Sequence, residues 1–282
     1  MGNIVENKNM VLSKMSKIKL VLDKEKKKNV ISKSKDNDKN IFIEGMPGVG
    51  NIGKQTIDYL AKKNDVIKIA EIYSSYFPHI VKIKNEITLP HHNLYYFEND
   101  NIGYFLYTGD AQSKTDEGTY EFAKFILDLI SDFNIEEIIT IGGVGLKSYV
   151  EDPKIYLIGD DDLKERYSTD STSSETKGKV NMILGLSGII LGHVDLLRKS
   201  NKDINYNYLS VLIETMSSPL YPSYKESKLM IKFFDEHFNL DIDYSDIDKK
   251  IETFNKSKKV SNDLKQLDRL NKSDDDSGSY IG

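Results

Sequence analysis

A glycine-rich stretch carries the residues of this 282-residue chain whose types and spacing could do chemistry. It follows the apolar run Ile41 to Ile43, and its glycines and proline are Gly45, Pro47, Gly48, Gly50 and Gly53. Branched and aromatic residues favour a buried strand, whereas Gly and Pro favour a tight turn. Apolar residues then recur at helical spacing. The pattern predicts a strand, a loop and a helix.

Three interpretations of this loop compete. In a phosphate-binding loop, Gly48 and Lys54 would cradle a nucleotide triphosphate, but the residue after Lys54 is Gln rather than the Ser or Thr that holds magnesium. In a dinucleotide-binding fold, Gly48, Gly50 and Gly53 fit G-x-G-x-x-G, with Glu71 as a possible ribose ligand. In the structural interpretation, the glycines permit a sharp turn and close packing of the helix on the sheet. The spacing leaves all three open.

Charged residues at the ends of predicted strands are the other candidates for chemistry. Asp110 and Glu214 each follow an apolar run, and with Lys54 and the loop amides they could bind phosphate in a nucleoside-binding, phosphorylase-like enzyme. A strand-end Asp before a helix is, however, more often a cap or a turn former. The sequence shows no nucleophile elbow, no zinc helix and no paired carboxylates, and its five histidines are poorly spaced as joint ligands. We therefore assign no catalytic residue, no metal site and no cofactor.

Composition argues against several classes of protein. The net charge is −5 with both signs interspersed, so there is no basic field for nucleic acid. The absence of cysteine excludes disulfides and thiolate sites and is compatible with a reducing cytoplasm. No apolar stretch reaches the roughly 18 residues of a membrane span. We expect a soluble cytoplasmic protein without nucleic-acid or membrane partners.

Strands and helices alternate along the middle of the chain. This order predicts an α/β fold with a mostly parallel sheet and helices on both faces. The prolines Pro78 and Pro90 bracket short apolar runs that predict a hairpin beside the main sheet. The lysine-rich run Lys24 to Lys28 is expected to form a charged turn.

The chain is expected to divide into four segments. They are an N-terminal extension at residues 1–16, an α/β core domain at 17–244, an amphipathic C-terminal helix at 245–273 and a flexible tail at 274–282. The tail ends in Tyr280, Ile281 and Gly282 after an acidic spacer. An aromatic and apolar end on a solvated tether suits docking on a partner, so these three residues are the predicted tail contact.

Several motifs occur in a characteristic order over residues 40 to 240. They are Glu44 to Gly50, Ile72 to Pro78, Thr108 to Gln112, Gly185 to Gly192 and Tyr221 to Pro222. In this order they resemble the proteasome assembly chaperone 2 family, in its archaeal branch. The resemblance implies a fold similar to nucleoside phosphorylases. It also implies a homo-oligomeric, ATP-independent chaperone that binds proteasome α-subunits or the core particle without catalysis.

The C-terminal end departs from the family pattern. The resemblance implies docking on the core particle through a hydrophobic residue, a tyrosine and any final residue. In this chain Tyr280 is third from the end rather than second. A tyrosine, an isoleucine and a free carboxylate remain available to enter a groove between subunits.

Overall fold

A ten-stranded mixed sheet lies at the centre of the fold. The structure is a computed structural model that describes residues 10–11, 17–83, 85–174, 180–200 and 206–257. Two compact units divide the chain, Met1–Asp241 and Ile242–Gly282, and the sheet belongs to the first. The tail residues Tyr280, Ile281 and Gly282 lie outside the described residues, so their role stays a prediction.

Twelve strands and six helices are described in the first unit. The strands are β1 Met10–Val11, β2 Ile18–Leu22, β3 Lys39–Glu44, β4 Ile67–Ser74, β5 Lys82–Ile83, β6 Ile87–Thr88, β7 His92–Asn99, β8 Ile102–Gly109, β9 Glu137–Leu146, β10 Ile155–Gly159, β11 Thr172–Ser173 and β12 Asn207–Met216. The helices are α1 Lys24–Asp36, α2 Ile52–Lys63, α3 Asp116–Ile130, α4 Asp161–Arg166, α5 Leu186–Ser200 and α6 Tyr224–Phe238.

Residues 245–257 of the second unit are helical, and the remainder of the C-terminal helix expected at 245–273 lies outside the described residues. The helix at its full predicted length therefore stays a prediction. Among the helices in the described ranges, none is both long and apolar enough to cross a membrane.

The sheet is parallel in its core and antiparallel beside it. Its order is β1-β2-β4-β7-β8-β3-β9-β12-β10-β11, in which β8, β3, β9 and β12 run parallel. From β1 to β8 every neighbouring pair is antiparallel, as is the pair β12–β10. The expectation of a mostly parallel sheet is thus correct for the core and wrong for the flank. The reason is visible between β7 and β8, which are joined by Asp100 and Asn101 at φ 50° and 59°, the left-handed turn of a tight hairpin, rather than by a crossover helix.

Helices cover both faces of the sheet, as predicted. On the first face, Val30 of α1, Phe122 of α3 and Ile190 of α5 join Phe42 and Phe105 in one buried cluster. On the second face lie α2 and α6, which contact each other. The ring of Phe238 in α6, for example, lies 4.6 Å from that of Tyr104. Alternate strand residues therefore face two separate helical layers.

The expected charged turn at Lys24 to Lys28 is wrong, because these residues begin α1. The Asp23 side chain caps the helix by accepting a hydrogen bond from the Lys26 N–H at 3.0 Å. Val30 is fully buried beneath the helix. Lysine has a good helix propensity, so a cap and one apolar anchor suffice to continue the run as a helix.

Three backbone segments meet at two glycines of the glycine-rich stretch. A Cβ on Gly45, just after β3, would lie against the carbonyl of Gly53 in α2. A Cβ on Gly53 would lie 2.6 Å from the carbonyl oxygen of Ile141 in β9. Backbone atoms cannot rotate aside as a flexible side chain can, so the contact between β3, α2 and β9 requires glycine at both positions.

Gly53→Ala should therefore lower the free energy of unfolding by about 1–3 kcal/mol, because the helix must move away from the sheet to admit the methyl group. Gly192→Ala in α5 is the matched control, since a Cβ there would meet no atom within 4 Å. That control should raise stability by about 0.5–1 kcal/mol, as expected for glycine in a helix interior. Urea unfolding measures both changes, and equal losses for the two variants would contradict the packing constraint.

Candidate functional site

The glycine-rich loop is held in place by two glutamine side chains. Gln55 donates to the carbonyl of Gly50 at 3.1 Å. Gln112 donates to the carbonyl of Pro47 at 2.7 Å and accepts from the N–H of Leu186 at 3.1 Å. The second glutamine thereby ties the loop to the start of α5. Gly50 adopts φ 64°, where a side chain would be strained and would meet Ser223.

The predicted phosphate-binding charges have structural partners. Lys54 pairs with Asp58 one turn further along α2, at 2.9 Å. Glu214 is buried and accepts hydrogen bonds from the Tyr156 hydroxyl at 2.7 Å and the Lys154 N–H at 3.1 Å. In the described ranges no group of three His, Asp or Glu side chains is placed to hold a metal ion.

Asp110 anchors the hairpin formed by β5 and β6. Its carboxylate accepts from the Lys82 ammonium at 2.5 Å and from the His91 N–H at 3.1 Å. Burial alone would raise the pKa of Asp110, but these two hydrogen bonds hold it below its ordinary value. The ion pair thus fixes the hairpin to the end of β8.

The opposite side of this hairpin is apolar and exposed. Ile83 and Ile87 are paired across the two strands, and alternation places Val81 and Leu89 on the same side. These four side chains are between 51% and 76% exposed. We call them the apolar hairpin face. Val81 and Leu89 also line a groove of about 580 Å³ beside the hairpin. Clustered exposed apolar surface is typical of protein-interaction, membrane-interaction and ligand-binding sites.

A row of buried polar side chains crosses the parallel core of the sheet. Its members are neighbours in register on β8, β3, β9 and β12: Tyr107, Glu44, Thr140 and Ser210. All four are at most 1% exposed. We call them the buried polar row. The hydroxyls of Thr140 and Ser210 are hydrogen bonded at 3.1 Å.

His92 closes one end of this row as a neutral imidazole. Its Nε2 lies 2.7 Å from the carbonyl of Ala111, which can only accept, so Nε2 carries the proton. Nδ1 therefore accepts from the Tyr107 hydroxyl at 2.6 Å. Burial lowers the pKa of His92 to about 4, although the Ala111 carbonyl acts in the opposite direction.

Glu44 is the member of the row whose carboxyl group lacks a hydrogen-bond partner among the described residues. Neither carboxyl oxygen has a hydrogen-bond partner within the described part of the chain. Burial raises the pKa of Glu44 to about 8, and the nearby Ser187 hydroxyl only partly counters this effect. The carboxyl group is therefore mostly protonated at neutral pH.

A cavity of about 530 Å³ lies at the carboxyl end of the parallel strands, beside the glycine-rich loop. Its lining includes Met46, Gly142, Leu212 and Ser187, together with the segment 180–185. None of the described residues that line it is charged. Gly48 and Gly53 also contribute to the wall. The loop thus lines a largely apolar cavity in which no described residue offers a cationic side chain to a phosphate group.

Three of these features were not among the residues singled out from sequence. Glu44 has a sequence signal, since it is an ionisable residue directly after the buried run Ile41 to Ile43. The apolar hairpin face has one as well, because Val81 and Ile83 alternate with polar neighbours. The register that aligns Glu44 with Thr140 has no local signal, because it depends on strands far apart in the chain.

Comparison with known proteins matches residues 42–259 to the sequence model of the PAC2 family. An uncharacterised protein of Methanocaldococcus jannaschii is 24% identical over 158 residues, which cover 55% of this chain and 60% of that protein. The match thus spans less than two thirds of that relative's length.

Two solved structures from Pyrococcus furiosus share the fold. PbaB, described as an archaeal proteasome activator, is 25% identical with a TM-score of 0.71, and the match covers 90% of this chain and 100% of that one. PbaA, described as an archaeal homolog of proteasome-assembly chaperone, is 20% identical with a TM-score of 0.67, covering 94% and 100%.

Glu44→Gln should change how stability depends on pH. Because the pKa of Glu44 is about 8 in the folded state and near 4.5 otherwise, the folded state keeps a proton that the unfolded state loses between these values. The free energy of unfolding of the unaltered protein should fall with rising pH in that window, by as much as about 1.4 kcal/mol per pH unit. Glutamine cannot ionise, so the variant should lack this fall and be the more stable protein at pH 8.

The control is Glu121→Gln, on the exposed side of α3, which should follow the unaltered protein at every pH. Urea unfolding from pH 5 to 9 measures all three proteins. Parallel stability curves for Glu44→Gln and the unaltered protein would show that Glu44 does not carry the shifted proton.

Proposed function

Because the chain belongs to the PAC2 family, we propose that it is a proteasome assembly chaperone that binds proteasome α-subunits or the core particle without catalysis. The observation that carries the proposal is the apolar hairpin face, an exposed apolar surface on a hairpin that an ion pair joins to the end of β8. The likeness to PbaB, a proteasome activator, over nearly the whole of both chains supports the same class of partner.

The hairpin is suited to contacting another protein. Its polar side contacts the rest of the chain, because Lys82 forms an ion pair with Asp110. Its apolar side leaves Ile83 and Ile87 exposed to water, so a partner that covers them would gain hydrophobic free energy. We assign a proteasome α-subunit as the partner. Homo-oligomer formation, a cytoplasmic location and a fold likeness to nucleoside phosphorylases are further parts of the proposal.

The loop geometry gives less support to a nucleotide- or nucleoside-binding enzyme. Lys54 is paired with Asp58, and Asp110 holds the hairpin. The glycines at 45 and 53 are used for backbone packing. These contacts favour the structural interpretation of the loop over the two nucleotide-binding interpretations.

Ile83→Asp combined with Ile87→Asp should reduce capture of proteasome α-subunits at least about tenfold, because two charges would be buried in an apolar contact. Leu196→Asp is the matched control, since Leu196 is 58% exposed on α5 and is outside the hairpin. Pull-down with purified α-subunits measures capture, and thermal unfolding verifies that both variants fold.

The face could be covered by a proteasome α-subunit or by a second copy of this chain. Light scattering during size-exclusion chromatography measures self-association and so distinguishes them. Full capture by the hairpin variant would refute the assignment to α-subunits. If self-association were lost at the same time, the face would instead belong to a second copy of this chain.

The tail is tested separately. Deleting residues 274–282 should reduce recovery of the assembled core particle, and Tyr280→Ala with Ile281→Ala should reproduce that loss. Ser277→Ala with Ser279→Ala alters the spacer of the same tail and should leave recovery unchanged. Equal recovery with and without the tail would remove its proposed role.

A further inference from the structure

The cavity beside the glycine-rich loop lies directly above the buried polar row. Three residues that line it are two positions beyond members of the row: Gly142 beyond Thr140 in β9, Leu212 beyond Ser210 in β12, and Met46 beyond Glu44 just after the end of β3. Since alternate strand residues share a face, the row forms the layer immediately beneath this part of the cavity.

Gly142 leaves room in the floor of the cavity, one step along this face from Glu44, which is itself fully buried. Gly142 has no side chain, and a Cβ there would meet only the Cδ2 atom of Leu212, at 3.0 Å. Glu44 is the register neighbour of Thr140, one step below this opening. Ser187, at the start of α5, lines the cavity and is also the polar side chain that influences the Glu44 carboxyl. A group entering past Gly142 and Ser187 would therefore approach Glu44.

The chemistry of the lining selects the charge of a ligand. Among the described residues no donor meets hydrogen-bond geometry at either oxygen of Glu44, and the Ser187 hydroxyl is only near enough to lower its pKa. A buried acceptor without a well-placed donor is destabilising. The described lining offers no cation that could bind an anionic ligand. The amide of Gln112 already uses its oxygen and its nitrogen in hydrogen bonds. The group that is missing is a hydrogen-bond donor, and a cationic donor satisfies a carboxylate best.

We propose that this cavity binds a small organic amine with an apolar body, whose ammonium group pairs with Glu44. The walls formed by Met46, Leu212 and the neighbouring apolar residues would contact the hydrocarbon part. The site is independent of the hairpin and of the tail, so the proposal does not rest on the proposed function.

Pairing with an ammonium ion converts the protonated carboxyl group of Glu44 into a carboxylate, and the displaced proton passes to solvent. Tyr107 is the titratable group beside Glu44 on the sheet, and neutral His92 lies behind it. From α5 the polar group is the uncharged Ser187. Glu44 is thus the group that releases the proton, and binding near pH 7 should release up to one proton per ligand.

The test uses hexylamine, hexanol and hexanoate as probes of equal chain length on the full-length protein. Isothermal titration at pH 7, in buffers of different ionisation enthalpy, measures affinity and proton release. Hexylamine should bind the most tightly and release a proton. Glu44→Gln should weaken hexylamine binding at least about tenfold and abolish the proton release, while changing hexanol binding less than about twofold.

Gly142→Leu provides a second test that leaves Glu44 in place. A leucine side chain would close the opening in the floor and should weaken hexylamine binding to the same extent, with cooperative thermal unfolding as evidence of folding. Equal affinity for hexylamine and hexanol, or undiminished hexylamine binding by Glu44→Gln, would overturn the proposal.

Discussion

The contact between the backbones of β3, α2 and β9 at Gly45 and Gly53 is the constraint on which the rest of the structure depends. It places α2 against the sheet without intervening side chains. Gly53, the last glycine of the G-x-G-x-x-G pattern, is required for this packing. Spaced glycines indicate that the backbone closely approaches another group, which can be a ligand or the protein itself. At Gly53 this group is the backbone of β9.

This packing favours the structural interpretation of the loop over a nucleotide-binding one. Lys54 forms an ion pair with Asp58 on its own helix, and Asp110 forms one with Lys82. These candidate phosphate-binding or catalytic charges therefore stabilise the fold. Asp110 has the larger consequence, because it fixes a short hairpin with its apolar side toward water. An exposed apolar surface that packs on nothing within its own chain is a feature of proteins that bind other polypeptides.

Local features of the fold could be predicted from sequence, and features that depend on distant pairing could not. The strand at Ile41 to Ile43, the loop and α2 follow from residue type and periodicity within a short stretch. The antiparallel flank of the sheet was missed, because strand direction depends on which strands pair rather than on the strands themselves. The residues Asp100 and Asn101 between two apolar runs were the local sequence signal for a hairpin turn, which the structure forms with both residues left-handed.

The same distinction applies to the candidate sites. The anchoring of the hairpin joins Lys82 to a residue 28 positions away, and the buried polar row joins β8, β3, β9 and β12. Asp110 could be named from its position at a strand end, but its partner could not. Glu44 acquires its raised pKa only because the folded chain buries it.

We propose that the apolar hairpin face contacts a proteasome α-subunit. Hydrogen–deuterium exchange of the full-length chain, alone and with purified α-subunits, tests it most directly. We expect the amides of residues 81–89 to exchange more slowly in the complex. Unchanged exchange in the hairpin, with protection confined to other parts of the chain, would contradict it.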